Sequence, residues 1–150
     1  MELSVGVEAL FTSALGLRPP WVVEDVKLDV PAKRIDFEVR CSGVLLACPA
    51  CGAASQPVHD RLRRKWRHLD FWQHRTELNA RVPRTSCQEH GVLQAAVPWA
   101  RAGSGFTLMM EAVILLLGQQ MSVSATARQL GESDKRLWRV LEHYVMEAHG

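Results

Sequence analysis

Two short stretches constrain this 150-residue chain more than anything else in it: Cys48-Pro-Ala-Cys51-Gly52 and Cys87-Gln-Glu-His90-Gly91. Each offers two potential metal ligands separated by two residues and followed by glycine. Zinc takes four soft or borderline ligands at tetrahedral corners, and a two-residue gap lets one tight turn deliver two of them. The glycine after each pair supplies the positive backbone angle that folds the turn beneath the metal and aims amides at the thiolates. Residues 52–86, between the halves, are expected to close into a loop held at its base by the metal. Any fold open to this chain must bring the two pairs to one point.

Four protein ligands, Cys48, Cys51, Cys87 and His90, leave no open coordination position, so the expected metal is structural, one zinc per chain. Two other readings stay open. A Cys-x-x-Cys pair can be a redox motif, but that normally opens a helix after a strand, and no helical period follows Gly52. Buried thiols near a surface histidine can also arise by coincidence. Structural disulfides fit less well, because the N-terminal Met-Glu-Leu-Ser shows no basic segment followed by an apolar core and so no secretory signal. Cys41 has no second ligand near it and reads as a small buried hydrophobe. His59, His68 and His74 lack paired spacing and read as polar surface residues.

The periodicity of the rest gives an α+β chain. Ser4 to Leu15 has apolar residues at helical spacing, ended by Gly16 and Pro19-Pro20. From Trp21 the period becomes two. Val26, Leu28 and Val30 alternate with Asp25, Lys27 and Asp29, and Ile35, Phe37 and Val39 alternate with Arg34, Asp36, Glu38 and Arg40, predicting an antiparallel pair. Thr76 to Val82 alternates in the same way, with Leu78, Ala80 and Val82 on one face. Arg101-Ala-Gly-Ser-Gly105 is the best linker candidate. Beyond it the pattern is helical over Phe106–Leu117, Ser122–Leu130 and Asp134 to about Glu147. The expected organisation is a small zinc-stabilised β-rich unit with an N-terminal helix over 1–100, a linker over 101–105, and an all-helical unit over 106–150. The longest uncharged apolar run, Ala112–Gly118, is far short of the roughly 20 residues that span a bilayer, which argues against a membrane role.

Charge gives a first partner argument. The chain carries 18 Lys and Arg against 16 Asp and Glu, a net charge of only +2, which by itself argues against a strongly basic nucleic-acid binder. The distribution says otherwise: residues 1–56 have five basic and seven acidic side chains, residues 57–100 eight and four, and residues 101–150 five of each. Most of the central excess lies in Arg61-Leu-Arg-Arg-Lys-Trp-Arg-His68. Such a run is either a solvated face or a phosphate-contacting patch of Arg61, Arg63, Arg64, Lys65 and Arg67, with Trp66 as a stacking or anchoring group.

Ser122 to His143 has the geometry of a helix-turn-helix. Ala127 is small where two helices would cross, Gly131 supplies the turn, and Ser133 can cap the next helix. Leu130, Leu137, Val140 and Leu141 form a packing face, which leaves Lys135, Arg136, Trp138 and Arg139 mostly outward. N-terminal residues of such a recognition helix reach base edges in the major groove, so Ser133, Lys135, Arg136 and Arg139 are the candidate DNA contacts. An ordinary helical hairpin has similar patterning and remains open.

Taken in order, Cys48–Gly52, Trp66–Phe71, Arg81–Val92, Val97–Arg101 and Gly103–Thr107 resemble the N-terminal region of ISL-three-type insertion-sequence transposases, over about residues 8–147. The resemblance implies a zinc finger on Cys48, Cys51, Cys87 and His90 and a helix-turn-helix, together recognising terminal inverted repeats of double-stranded DNA. It also implies a downstream ribonuclease-H-like domain whose acidic triad holds metal for strand transfer. That triad has no counterpart before Gly150, so no catalytic residue is assigned and the chain is expected to perform no chemistry alone. Two roles follow as expectations: the DNA-recognition part of a transposase, or a regulatory protein that competes for the ends or pairs with itself or full-length transposase. Either places it in a prokaryotic cytoplasm, at the nucleoid.

Overall fold

The computed structural model describes residues 6–149. Helix α1 spans Val7–Ala14, so Ser4 and Val5 of the predicted helix lie outside the described residues. Six strands follow: β1 Trp21–Asp29, β2 Arg34–Cys41, β3 Leu45–Leu46, β4 Gln56–Arg67, β5 Arg75–Cys87 and β6 Gly91–Gln94. Three helices complete the chain, α2 Leu108–Gly118, α3 Val123–Leu130 and α4 Asp134–His149.

The strands form one sheet in the order β1-β2-β5-β4-β3, with β6 beside the C-terminal part of β5. β1 and β2 are the predicted antiparallel pair. β2 and β5, however, run parallel, with Arg34 opposite Arg75 and Val39 opposite Ala80. β4 and β5 form one long antiparallel hairpin from Val58 opposite Thr85 to Arg67 opposite Glu77. The basic run therefore lies on β4, paired along one side with β5, while the other side of β4 meets β3 only at Gln56 and Pro57 and Phe106 only at Arg67.

Alternation gives the sheet two unlike faces. Trp21, Val23, Ile35, Phe37, Val39, Trp66, Leu78, Ala80 and Val82 are all buried on one side. Phe11 of α1 packs on Phe37 with ring centroids 4.8 Å apart. Trp99 stands edge-on between Trp21 and Trp66, at 5.0 and 5.2 Å. Trp66 is only 5% exposed, so of the two roles open to it, stacking or anchoring, it takes the second and anchors this core. A register shift between Val23 and Asp25 puts Val26 and Leu28 opposite Phe37 and Ile35 on the core side, where Val26 packs partly buried, while Leu28 and Val30, towards the β1–β2 turn, are exposed.

The helices build a second core from Phe106, Met110, Ile114, Ala127, Leu137 and Val140. The Thr107 and Ser122 hydroxyls accept from the Met110 and Ala125 amides and cap α2 and α3. Gly131, at φ 69°, closes α3 in the left-handed conformation that the turn needs. Ala127 is 1% exposed at the predicted crossing.

The 101–105 segment is not a loose tether. The Arg67 amide donates to the Gly105 carbonyl and the Thr107 amide to the Arg67 carbonyl, both at 2.9 Å, which extends the sheet by one parallel bridge to Phe106. Arg101 and Ser104 donate to the fully buried carboxylate of Glu111, which also accepts from the Tyr144 hydroxyl at 2.8 Å. Two cores are thus joined by a stitched junction.

Candidate functional site

The two ligand pairs meet at the open end of the β4–β5 hairpin. Cys48 and Cys51 lie in the turn between β3 and β4, where the Gly52 amide donates to the Cys48 carbonyl and the Cys48 amide to the Ala53 carbonyl. Cys87 ends β5, pairs with Gly91 of β6, and the four-residue turn it opens carries His90. Both predicted glycines adopt the left-handed conformation, Gly52 at φ 74° and Gly91 at φ 70°. The donor atoms of Cys48, Cys51, Cys87 and His90 all lie within 4.8 Å of one another. The Cys51–Cys87 sulfurs are 3.9 Å apart, and His90 Nδ1 is 3.9 Å from Cys48 Sγ and 3.7 Å from Cys87 Sγ.

Those separations test the metal directly. With Zn–S near 2.3 Å and Zn–N near 2.0–2.1 Å, the edges of a tetrahedral site are roughly 3.5–3.8 Å. A disulfide would need sulfurs about 2.0 Å apart, and all four cysteines are free. The His90 ring and the amides of its turn pull the Cys87 thiol down to about 6, toward the thiolate a metal needs. Cys41 is buried and away from this cluster, the small hydrophobe its position predicted.

The basic run divides. Arg61, Arg63, Lys65 and Arg67 point to the polar sheet face, while Leu62, Arg64 and Trp66 point to the other. Arg61 donates to the carbonyls of Cys41 and Gly43, and Arg63 pairs with Glu38 at 2.7 Å. Arg64 reaches Gln94, and Lys65 stands 3.9 Å from Glu77. Arg67 corrects the sequence reading: it is 4% exposed, held by Glu132 at 3.0 Å and Asp70 at 3.1 Å, and has no free surface to offer a phosphate. His68 departs too. It is half-buried, shares a 2.7 Å hydrogen bond with the Thr107 hydroxyl, and burial pushes its pKa down. His74 is half-buried in the turn beside Phe71, whereas His59 is exposed as expected.

Glu132, immediately after the helix-turn-helix glycine, is the junction residue that the sequence did not reveal. Its carboxylate is 3% exposed and accepts from Arg67, Arg75 and Arg136. Arg75 also donates to the Gly131 carbonyl, so the sheet grips the turn by backbone and side chain together. Arg136 is correspondingly committed: it salt-bridges Glu132 and lies 4.2 Å over the Phe106 ring. It helps hold α4 in place. The Ser133 hydroxyl accepts from the Arg136 amide at 3.3 Å, the cap its position predicted.

Lys135, Trp138, Arg139 and Glu142 share one helical face of α4 and are all exposed, Trp138 by 51%. Neither Lys135 nor Arg139 has an ion-pair partner among the described residues. No helix among the described residues is long and apolar enough to cross a membrane.

Comparison with known proteins adds to this geometry. Residues 46–90 match the family model described as the zinc-finger of transposase IS204/IS1001/IS1096/IS1165. Residues 95–145 match that of the helix-turn-helix domain of transposase family ISL3. The chain is 32% identical over 150 residues to the transposase for insertion sequence element IS1557 of Mycobacterium tuberculosis, in strains CDC 1551 / Oshkosh and ATCC 25618 / H37Rv. The alignment covers 91% of this chain and 34% of each relative, so the chain spans about a third of their length. No solved structure matches it. Donor chemistry, spacing and the matched zinc finger agree on a structural zinc site.

Proposed function

Because the chain carries the zinc ribbon and the helix-turn-helix domain of the ISL3 transposase family, we propose that it is the part of an insertion-sequence transposase that recognises double-stranded DNA at the terminal inverted repeats. The observation that carries this is the outward face of α4, where Lys135, Trp138 and Arg139 stand exposed in the first two turns of the second helix of the motif. That is the part of a recognition helix that reads base edges in the major groove. Ser133 is placed beside them at the helix start, and Arg136 acts through the fixed pose of the helix.

The supporting parts have separable roles. Zinc on Cys48, Cys51, Cys87 and His90 would fasten the open end of the β4–β5 hairpin, supplying folding energy and no chemistry. Of the described residues, 6–100 form the sheet unit, 101–105 the stitched junction and 106–149 the reading unit. Arg61, Arg63, Arg64 and Lys65 supply sequence-independent attraction for the duplex. No strand-transfer residue is assigned to the chain. It would work in a prokaryotic cytoplasm, on chromosomal DNA at the nucleoid.

Fluorescence anisotropy against a duplex bearing the element's own terminal repeat and a scrambled duplex of equal length tests the reading. Lys135→Ala with Arg139→Ala should lose at least tenfold in discrimination, since a good base contact contributes about 1–3 kcal/mol. Equal affinity of the unaltered chain for both duplexes would overturn it. A second reading, a regulator that occupies the ends or pairs with itself or full-length transposase, draws on α2, which exposes Met109 by 60% and Leu116 by 60% while burying Ile114. Sedimentation as a strict monomer up to tens of micromolar would remove self-pairing.

A further inference from the structure

The polar face of the sheet has a register feature that folding alone does not favour. Reading across β2, β5 and β4, Asp36 lies level with Glu77 and Arg67, and Glu38 with Asn79 and Lys65. Both rows contain carboxylates that face cations. The next row contains none. Arg81 lies directly opposite Arg63 on β4, and Arg40 follows Val39, the partner of Ala80, so three arginines stand side by side on three adjacent strands. Like charges directly opposite each other destabilise a sheet.

The surroundings only partly neutralise this row. Arg63 has Glu38, and Arg40 has Glu24 at 3.3 Å in an exposed pair. Arg61 joins the group from the same face and is spent on carbonyl oxygens. Arg81 is exposed and has no hydrogen bond or ion pair among the described residues. Together Arg40, Arg61, Arg63 and Arg81, with Glu24 and Glu38, line a concave depression of about 440 Å³. Four guanidinium groups against two carboxylates leave a surplus of positive charge in a hollow, which focuses potential toward an anion.

The hollow lies on the path between the two recognition modules. Arg67, on the same strand and face, is fastened to the helix-turn-helix turn through Glu132. Arg63 is four residues further along β4, or about 14 Å at 3.4 Å per residue, on the way to the zinc end of the hairpin. Guanidinium groups offer planar, forked donors suited to phosphate oxygens.

We propose that this three-strand arginine row, with Arg81 at its centre, is a phosphodiester-binding surface that engages the duplex backbone beside the site read by α4. The proposal rests on the DNA-binding reading of the chain and adds Arg40 and Arg81, which lie outside the basic run, while Arg67 plays no part.

The test uses the zinc-loaded full chain and a fluorescein-labelled duplex of arbitrary sequence, because phosphate contacts carry no sequence information. Arg81→Gln and the Arg40→Gln/Arg81→Gln pair are compared with Arg18→Gln, an exposed cation elsewhere that controls for net charge. Each lost phosphate contact should flatten the slope of log K against log salt by about 0.9, an affinity loss of about eightfold at 0.1 M salt. Arg18→Gln should leave the slope unchanged. Without DNA, Arg81→Gln should melt no lower than the unaltered chain, because it relieves a like-charge row. The proposal is overturned if the double variant keeps the slope of Arg18→Gln, if Arg81→Gln lowers the melting midpoint, or if the slope changes only on an RNA duplex. Failure of the unaltered chain to bind any duplex at 50 mM salt would instead refute the DNA-binding reading itself.

Discussion

Replacing Glu132 by glutamine removes the charge on which Arg67, Arg75 and Arg136 converge while keeping its shape. The three contacts are not equivalent. Arg75 and Arg136 are 38% and 37% exposed, so water takes over their solvation and each loss is on the order of 0–1 kcal/mol. Arg67 is 4% exposed and keeps only Asp70, itself 44% exposed. Removing one partner of a buried pair costs about 3–5 kcal/mol because the other charge stays buried. With Asp70 still in place, the lower end applies, and about 3 kcal/mol corresponds to a drop of roughly 6–12 °C in the melting midpoint of a chain this size. The assay is thermal unfolding by circular dichroism, with limited proteolysis reporting cleavage at 101–105 as the grip on the helix-turn-helix turn loosens. Lys65→Ala is the control, since Lys65 stands 3.9 Å from Glu77 and is 72% exposed. If Glu132→Gln melted within about 1 °C of Lys65→Ala, the claim that this junction fixes the reading unit to the sheet would be wrong.

Three further outcomes follow from the same structure. Chelation of zinc, or Cys48→Ser, should take metal content from about one per chain to none and unfold the hairpin end, because binding energy at a structural site is folding energy; retention of native near-ultraviolet dichroism without metal would contradict this. Burial holds the His68 pKa below its ordinary value, so the unfolded chain binds a proton more readily than the folded one. Stability should therefore be full above the unfolded value near 6.5 and be lost as pH falls from there toward the lowered folded value, and His68→Gln should flatten that part of a stability–pH curve. Gly131→Ala places a Cβ at φ 69° with no heavy atom within 4 Å, so its cost should be purely conformational, about 1 kcal/mol in denaturant unfolding.

The parts of this molecule legible in the sequence are those decided locally. The zinc ligands declare themselves because two-residue gaps and following glycines are turn chemistry, complete within five residues. The helices α2, α3 and α4 show in the apolar spacing around Ile114, Ala127 and Leu137, and Cys41 shows by having no nearby ligand. What stayed hidden depends on distant partners. Whether an arginine is free or spent is set by a carboxylate elsewhere: Arg67 is taken by Glu132, 65 residues away. The parallel pairing of β2 with β5 leaves no local mark, yet it alone creates the Arg40–Arg81–Arg63 row. The glycine-rich 101–105 segment looks like a tether by composition and is a docking strip because the backbone of Arg67, at the end of β4, hydrogen-bonds to Gly105 and Thr107 on the side away from β5. Strand parity through β5 would have been the one available clue to Arg81, since Glu77, Asn79 and Arg81 alternate with Leu78, Ala80 and Val82.

The central claim is that the exposed face of α4 reads DNA sequence from a frame held by zinc and the sheet. Repeated selection of duplexes from a fully randomised pool by the zinc-loaded chain, followed by sequencing, tests it whatever the target sequence is. The account predicts enrichment of one motif, lost with Lys135→Ala and Arg139→Ala and retained, at weaker overall affinity, with Arg81→Gln. A pool that stays random through every round would contradict it.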